Sequence, residues 1–286
     1  MADYNVRSHA WPAPAKINLF LHIIGRRPDG YHLLQTVFQF VDRADMLDFN
    51  IRSDGVLSRN SNYSEIESDE DLVIRAARIL QAETGCTLGV DITVDKRLPI
   101  GGGLGGGSSD AATTLVALNH LWQLDLSIEQ LAQLGLILGA DVPVFIHGHA
   151  AWAEGIGEIL TPLDLDEVWY LIVQPYCTVS TSRVFNSEDL TRNTPPITIR
   201  DFLAGRGHND CEIMVRKLYP EIAEAMAWLG RRANVRMTGT GACIYAVFEN
   251  VAQAEAVHRE LPQHWKGFVA QGKNCSPLYE RLDQEN

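Results

Sequence analysis

The sequence has few cysteines and no long apolar run. Its 286 residues include five cysteines, and no two of them form a CxxC pair. A disulfide framework or a thiolate zinc site is therefore not expected, and a reducing, cytoplasmic setting fits best. Residues 1–14 lack the apolar core of a signal peptide, and no run of about 18 apolar residues exists, so we expect neither export nor a membrane partner.

Positive charge is also scarce. The chain has 24 Lys+Arg against 36 Asp+Glu, a formal net charge of −12. A protein that binds DNA or RNA along its surface needs a basic footprint, so we expect no nucleic-acid partner. One phosphorylated small molecule is not excluded, because backbone N–H groups and a few lysines are enough to bind it.

The hydrophobic periodicity mixes strands and helices along the chain. Alternating apolar residues predict a half-buried strand over 16–23, with Lys16 and Asn18 on the same face. Further strands are predicted over 34–41, 91–98, 144–145, 150–153, 168–173, 235–238, 244–248 and 267–272. Helices are predicted over 71–84, 109–122, 128–138, 210–218, 220–230 and 253–261. This mixture indicates an α+β chain of two lobes, which we expect to divide near residue 160.

What the sequence does contain is a dense run of glycines. Six of the seven residues in 101–107 are glycine, between the predicted strand 91–98 and the predicted helix 109–122. Glycine lets the backbone approach a ligand closely and adopt a positive φ without a side-chain clash. The start of the following helix adds free N–H groups and a partial positive charge. The pattern predicts a loop that binds the phosphates of a nucleotide.

Three other interpretations of this loop fit less well. A dinucleotide fingerprint has the right glycine spacing here, but the acidic residue it needs, Asp125, follows a helix instead of a strand. A Walker A loop would use Gly102 and Gly107, but Ser108 stands where that motif has its lysine. A flexible linker would not lead directly into an amphipathic helix.

Residues 99–112 closely resemble the ATP loop of the GHMP kinase superfamily, which includes galactokinase, homoserine kinase, mevalonate kinase and phosphomevalonate kinase. Segments 14–19 and 235–243 resemble the N-terminal and C-terminal motifs of that superfamily, in the same order. The resemblance implies an α+β, two-lobed GHMP kinase fold. Its N-terminal ATP lobe, 1–160, would be ribosomal-protein-S5-domain-2-like, and its C-terminal substrate lobe, 161–286, would be ferredoxin-like.

Segments 29–32, 138–145 and 209–212 resemble the branch of this superfamily that serves the non-mevalonate route to isoprenoid precursors. The resemblance implies an ATP-dependent kinase that phosphorylates a small-molecule cytidine diphosphate substrate. It implies Mg²⁺ carried with ATP, no independent metal site, and a monomer or weak homodimer. One departure is Asp71, at a position where the resemblance leads us to expect asparagine.

The chemistry requires a base for the attacking hydroxyl and a cation for the moving phosphoryl group. Asp141 follows the predicted helix 128–138, where the helix dipole disfavours a carboxylate, so a nearby cation is needed to keep it ionised. The resemblance supplies Lys16 as that cation and Asp141 as the base. The nucleotide is expected to contact Lys96, Pro99, Ile100, Gly101, Gly102, Gly103, Leu104, Gly105, Gly106, Gly107, Ser108 and Ser109, with the two serines as candidates for Mg²⁺. The substrate is expected to contact Asn18, Tyr31, His32, Thr181, Phe185, Thr240 and Gly241.

Two alternatives stay open. The first is another kinase of the superfamily, with a homoserine-like substrate, and Tyr31 and His32 argue against it because such substrates have no pyrimidine ring to stack. The second is a non-catalytic sensor that keeps the fold and binds the ligand only. The presence of both Lys16 and Asp141 argues against that alternative.

Overall fold

The computed structural model describes residues 6–63 and 71–285. Its strands are β1 (Arg7–Arg26), β2 (His32–Arg52), β3 (Leu57–Ser61), β4 (Gly89–Asp95), β5 (Ala151–Glu154), β6 (Ile159–Pro162), β7 (Trp169–Gln174), β8 (Val235–Met237), β9 (Ile244–Phe248) and β10 (Lys266–Lys273). Its helices are α1 (Leu72–Thr84), α2 (Gly106–Leu121), α3 (Ile128–Leu138), α4 (Val142–His147), α5 (Thr181–Phe185), α6 (Ile199–Leu203), α7 (Glu212–Leu218), α8 (Pro220–Leu229), α9 (Val251–Arg259) and α10 (Pro277–Asp283). The predicted α+β class is confirmed.

Two long antiparallel strands organise the first half of the fold. β1 pairs along most of its length with β2, and the register places Lys16 opposite Phe40 and Asn18 opposite Phe38. The register shifts between Pro14 and Lys16 and again between Asn18 and Leu21, which bends the strand on both sides of this short segment. The two side chains therefore lie on the face that the alternation of the sequence predicts.

One sheet runs through both halves of the molecule, in the order β3-β4-β2-β10-β7-β9-β8. The halves meet where β10 pairs with β2, at Gly272 opposite Val41 and Lys273 opposite Phe40. β1 and β5 also pair with β2. β7, β8, β9 and β10 form an antiparallel second half, as expected for a separate layer with its own helices.

Two main hydrophobic cores cover the two halves of the sheet. The first includes Leu115 of α2, Leu131 of α3 and Phe145 of α4, and the second includes Met214 of α7 and Leu229 of α8. A smaller cluster with Ile17, Leu98, Leu104 and Tyr245 lies where the halves meet. The last helix, α10, returns to the first core through Leu278. The division near residue 160 stays a prediction.

The strand predicted over 144–145 is wrong, because this segment belongs to α4. Its run of Val, Pro, Phe and Ile has the composition of a strand, and periodicity alone does not separate a short buried strand from a buried helix. Pro143 lies in the first turn of α4, where its missing N–H is not needed. In the described ranges, no helix has the length and apolar character needed to cross a membrane.

Candidate active site

A cleft of about 540 Å³ opens between the two halves of the sheet. Of the residues that the sequence assigns to ATP, substrate or catalysis, its walls include Lys16, Asn18, Lys96, residues 99–108, Asp141, Thr181, Phe185 and Thr240. Residues from widely separated parts of the chain thus meet in one cavity. Tyr31, His32, Ser109 and Gly241 do not line this cavity.

The glycine loop is the turn between β4 and α2. The helix begins at Gly106, three residues earlier than predicted, so the last two glycines form its first turn. Because the first N–H groups of a helix have no partner within it, they are free to bind an anion. Ser108 faces the cleft, whereas Ser109 is fully buried on the other side of the helix. Only Ser108 is thus placed to approach a nucleotide or its Mg²⁺.

The loop packs directly on the second glycine motif, 239–241. Cys243 N–H donates to the Gly102 carbonyl at 3.1 Å. At Gly103, with φ +74°, an added Cβ would lie 2.6 Å from the carbonyl oxygen of Thr238 and 3.1 Å from that of Gly241. Backbone therefore touches backbone at this point, and no other residue type fits there without a shift.

Lys16 and Asp141 face each other at the centre of the cleft. Lys16 Nζ lies 3.3 Å from Asp141 Oδ2, 2.7 Å from Asn18 Oδ1 and 5.0 Å from the centre of the Phe38 ring. Lys16 is 3% exposed, whereas the side chain of Asp141 is 38% exposed and open to the cleft. The ammonium is thus fixed from several sides, and the carboxylate has a free edge for a ligand.

Asp141 lies between two helices and not between a helix and a strand. α3 ends at Leu138, and Asp141 directly precedes α4. The predicted position just after the end of a helix is confirmed, and the start of α4, which the sequence did not predict, favours negative charge at the same position.

Asn18 is held on every side. Its Oδ1 accepts from Lys16, its Nδ2 donates to Thr36 Oγ1 at 3.0 Å, and its backbone N–H donates to Thr238 Oγ1 at 2.9 Å. Thr238 precedes the second glycine motif. Asn18 thus orients Lys16 and connects β1 to the turn that carries Thr240.

Lys96 belongs to a buried ion cluster that the sequence analysis missed. Its Nζ lies 2.7 Å from Asp110 Oδ2 and also contacts Asp45, which is 0% exposed. Asp45 Oδ1 accepts from the backbone N–H groups of Arg97 and Leu98, where the chain enters the glycine loop. No motif marks Asp45, which lies 51 residues before Lys96 on β2. The geometry makes Lys96 a support of the loop as well as a residue of the cleft wall.

The cluster changes the acid–base behaviour of its members. Burial raises the pKa of Asp110 to about 7, against the pull of Lys96 and with a further contribution from Asp45. Burial also acts to lower the pKa of Lys96, but Asp110 and Asp45 outweigh it and hold this pKa above its ordinary value. Lys96 therefore stays charged, and Asp110 titrates close to neutral pH.

Aromatic residues lie at the other end of the cleft. The rings of His32 and Phe185 stack with centroids 5.1 Å apart and planes at 26°. Tyr31, beside His32, is 58% exposed. Thr181 Oγ1 and Thr240 Oγ1 are 3.0 Å apart, which joins α5 to the second glycine motif. The structure thus brings two pairs of the predicted substrate residues into contact, His32 with Phe185 and Thr181 with Thr240.

Asp71 begins α1 at the far end of the glycine loop. It accepts from Val73 N–H at 2.8 Å as a helix cap, and its second oxygen pairs with Arg59 Nη1 at 2.7 Å. An asparagine here would keep the cap but would carry no charge for Arg59. Across residues 6–63 and 71–285, no three His, Cys, Asp or Glu side chains are grouped so that they could hold a metal ion.

Comparison with known proteins first defines the class. The family "GHMP kinases N terminal domain" matches residues 71–149, and "GHMP kinases C terminal" matches residues 197–267. A mevalonate kinase structure from Methanococcus jannaschii has a TM-score of 0.68 at 15% identity, covering 96% of this chain and 100% of that one, and shows the same fold. The chain thus has both halves of a GHMP kinase.

Closer relatives define the family. The 4-diphosphocytidyl-2-C-methyl-D-erythritol kinase of Alkalilimnicola ehrlichii is 60% identical over 97% of this chain and 96% of its own length. That of Nitrosococcus oceani is 59% identical over 96% and 98%. A crystal structure of 4-(cytidine 5'-diphospho)-2C-methyl-D-erythritol kinase has a TM-score of 0.80 at 32% identity, over 93% of this chain and 99% of that one. The chain belongs to the 4-diphosphocytidyl-2-C-methyl-D-erythritol kinase family.

Proposed function

We propose that this chain transfers the γ-phosphate of ATP to the 2-hydroxyl of 4-diphosphocytidyl-2-C-methyl-D-erythritol, giving its 2-phosphate and ADP. The observation that carries the proposal is the Lys16–Asp141 pair, 3.3 Å apart, facing the cleft beside the glycine loop. Phosphoryl transfer needs this combination of a base, a cation and a phosphate cradle in one place.

In the proposed reaction, Asp141 takes the proton of the 2-hydroxyl while its oxygen attacks the γ-phosphorus. The bond from that phosphorus to the β,γ-bridging oxygen breaks, and ADP leaves. Lys16 offsets the charge on the moving group, and the amides of 102–108 hold the phosphates. Mg²⁺ brought with ATP would neutralise phosphate charge, and Ser108, which lines the cleft, is the loop serine that would help to hold it. No phosphoenzyme is formed.

On the substrate side, Tyr31, His32 and Phe185 hold the cytosine ring, because stacked aromatic rings favour a flat base. Thr181, Thr240 and Gly241 lie beside the diphosphate, and Asn18 contacts the acceptor or its base. Under this proposal the reaction belongs to the non-mevalonate route to isoprenoid precursors, takes place in the cytoplasm, and is carried out by a monomer or weak homodimer.

The assignment is tested by measuring ADP release with a panel of alcohols. We expect turnover with the cytidine substrate and none with homoserine, mevalonate or galactose. Turnover of homoserine without turnover of the cytidine substrate would contradict the proposal and favour another kinase of the superfamily.

The base is tested with Asp141→Asn, which keeps the shape of the side chain but removes its ability to take a proton. We expect turnover to fall by about a thousandfold with the affinity for ATP, measured by calorimetry, little changed. Asp164→Asn is the matched control, because its side chain is 88% exposed and pairs with His149 on the surface. Equal turnover in Asp141→Asn and the unmodified chain would refute the assignment and favour a binding protein.

A further inference from the structure

A single guanidinium group holds the aromatic end of the cleft together. Arg192 Nε donates to His32 Nε2 at 3.1 Å. Its Nη1 donates to the Leu190 carbonyl at 3.2 Å, and its Nη2 donates to the carbonyls of Phe185 at 3.1 Å and Ser187 at 2.5 Å. Arg192 thus fixes both the backbone at Phe185 and the imidazole of His32. The rings of these two residues stack on each other. Arg192 belongs to none of the sequence motifs described above.

The contact with Arg192 determines which nitrogen of His32 carries the proton. Arginine has donors and no acceptor, so His32 Nε2 must present its lone pair, and a neutral imidazole then has its hydrogen on Nδ1. Burial, and then the charges of Arg192 and Arg26, lower the pKa of His32, so the ring is neutral at neutral pH. Nδ1 has no hydrogen-bond partner among the described side chains and backbone groups around it.

A fixed Nδ1–H is a donor that suits one kind of base edge. The edge of cytosine has acceptors at N3 and O2, whereas uracil has a hydrogen on N3. A donor held opposite N3 therefore binds cytosine and is left facing another donor when uracil is present. Sites of this kind discriminate well because the unmatched polar group stays unpaired.

We propose that Arg192 is a positioning residue for base specificity, which holds His32 as an Nδ1–H donor toward cytosine N3 and so selects cytidine over uridine. The inference rests on the proposed function, since it needs a cytidine substrate. The guanidinium of Arg192 donates to His32, Leu190, Phe185 and Ser187, away from the glycine loop and the Lys16–Asp141 pair, so we expect its effect to be confined to recognition of the acceptor.

The first test is the tautomer of His32 in the unmodified enzyme, read from the ¹⁵N chemical shifts of its imidazole. We expect a neutral ring with hydrogen on Nδ1 at pH 7.5. In Arg192→Met the ring loses its fixed donor, and we expect a mixture of tautomers and a higher pKa of His32. A ring with hydrogen on Nε2 in the unmodified enzyme overturns the proposal, and this measurement does not depend on how well any variant folds.

The second test compares kcat/KM for the cytidine substrate and for its uridine analogue. In Arg192→Met we expect the cytidine preference to fall at least about tenfold, through a higher KM for the cytidine substrate at an unchanged KM for ATP. Arg192→Lys keeps the charge and one donor and should recover part of the preference. Arg206→Met is the control, because Arg206 is an exposed arginine that pairs with Asp201 on the surface.

The outcomes separate this inference from the proposed function. If the unmodified enzyme does not phosphorylate the cytidine substrate, the proposed function fails. If it does so and Arg192→Met keeps the same preference for cytidine over uridine, the proposed function stands and the role of Arg192 is refuted.

Discussion

The two ends of the cleft are built by different means. At the phosphate end, backbone packs on backbone around Gly103, and buried charges such as Lys16 and Asp45 are held by several partners each. At the acceptor end, Tyr31 is exposed, and Arg192 donates through its side chain to the carbonyl of Phe185 on the short helix α5. Under the proposed function, phosphoryl transfer takes place on these closely packed elements, and discrimination between acceptors depends on a surface loop, where sequences are freer to vary.

The sharpest test of this contrast is Gly103→Ala at the phosphate end. The new methyl group would meet the Thr238 carbonyl at 2.6 Å, so the glycine loop and the second glycine motif must move apart. A misplacement of about 1 Å in an active site costs about a hundredfold in rate. We expect a fall of that size in kcat/KM for ATP, and a parallel rise in the KM for the acceptor because both motifs shift.

Gly85→Ala is the control for Gly103→Ala. Gly85 has a similar positive φ of +68°, but nothing lies within 4 Å of the position of its Cβ. Alanine at this position therefore has the conformational cost of a positive φ, about 1 kcal/mol of folding stability, but makes no clash. Activity of Gly85→Ala should equal that of the unmodified enzyme, and an equal loss in both variants would show that strain and not contact is responsible.

At the acceptor end, the corresponding test is Asn209→Asp. Asn209 Nδ2 donates to the carbonyls of Met237 at 3.0 Å and Gly239 at 2.8 Å, and so holds the turn that carries Thr240. A carboxylate there faces two carbonyl oxygens. We expect the KM for the acceptor to rise about tenfold, with the KM for ATP nearly unchanged, because a buried polar group loses its partners on that side only.

Asn119→Asp is the matched control for Asn209→Asp. Asn119 Nδ2 also donates to a backbone carbonyl, that of Leu126 at 3.0 Å, but it lies at the end of α2 and outside the cleft wall. We expect Asn119→Asp to lower the stability of the fold without changing the KM for ATP or the KM for the acceptor. If Asn209→Asp raises both KM values equally, the two ends of the cleft are not independent.

The sequence predicts the phosphate end well where the chemistry is local. The alternation of apolar and polar residues in 16–23 places Lys16 and Asn18 on one face of a strand. The glycine run identifies the position of the phosphate loop directly from the sequence. The Asp45–Lys96–Asp110 cluster was not predictable, because Asp45 lies 51 residues before Lys96 and comes close to it only through the pairing of β2 with β4. A strand was predicted where α4 lies, because its residues have the β-branched and aromatic composition of a strand. In the structure, burial and Pro143 in the first turn favour a helix instead. The role of Arg192 was also not predictable, because its four hydrogen bonds form only when the loop is folded against His32 and Phe185.

The smallest expected effect concerns the buried cluster and its dependence on pH. The pKa of Asp110 is raised from an ordinary 3.8 to about 7 by burial, so between these values the unfolded chain ionises while the folded chain keeps its proton. Stability that Asp110 contributes is therefore complete below about pH 4 and is lost as the pH rises to about 7. Asp110→Asn lacks this loss, so the Tm of the variant relative to the unmodified enzyme should rise by about 3 °C from pH 5 to pH 8.

Asp54→Asn is the control, because Arg52 lowers the pKa of Asp54 to about 2 and its difference in Tm should stay constant over that range. A constant difference for Asp110→Asn as well would contradict this prediction and would mean that Lys96 keeps Asp110 ionised in the folded chain.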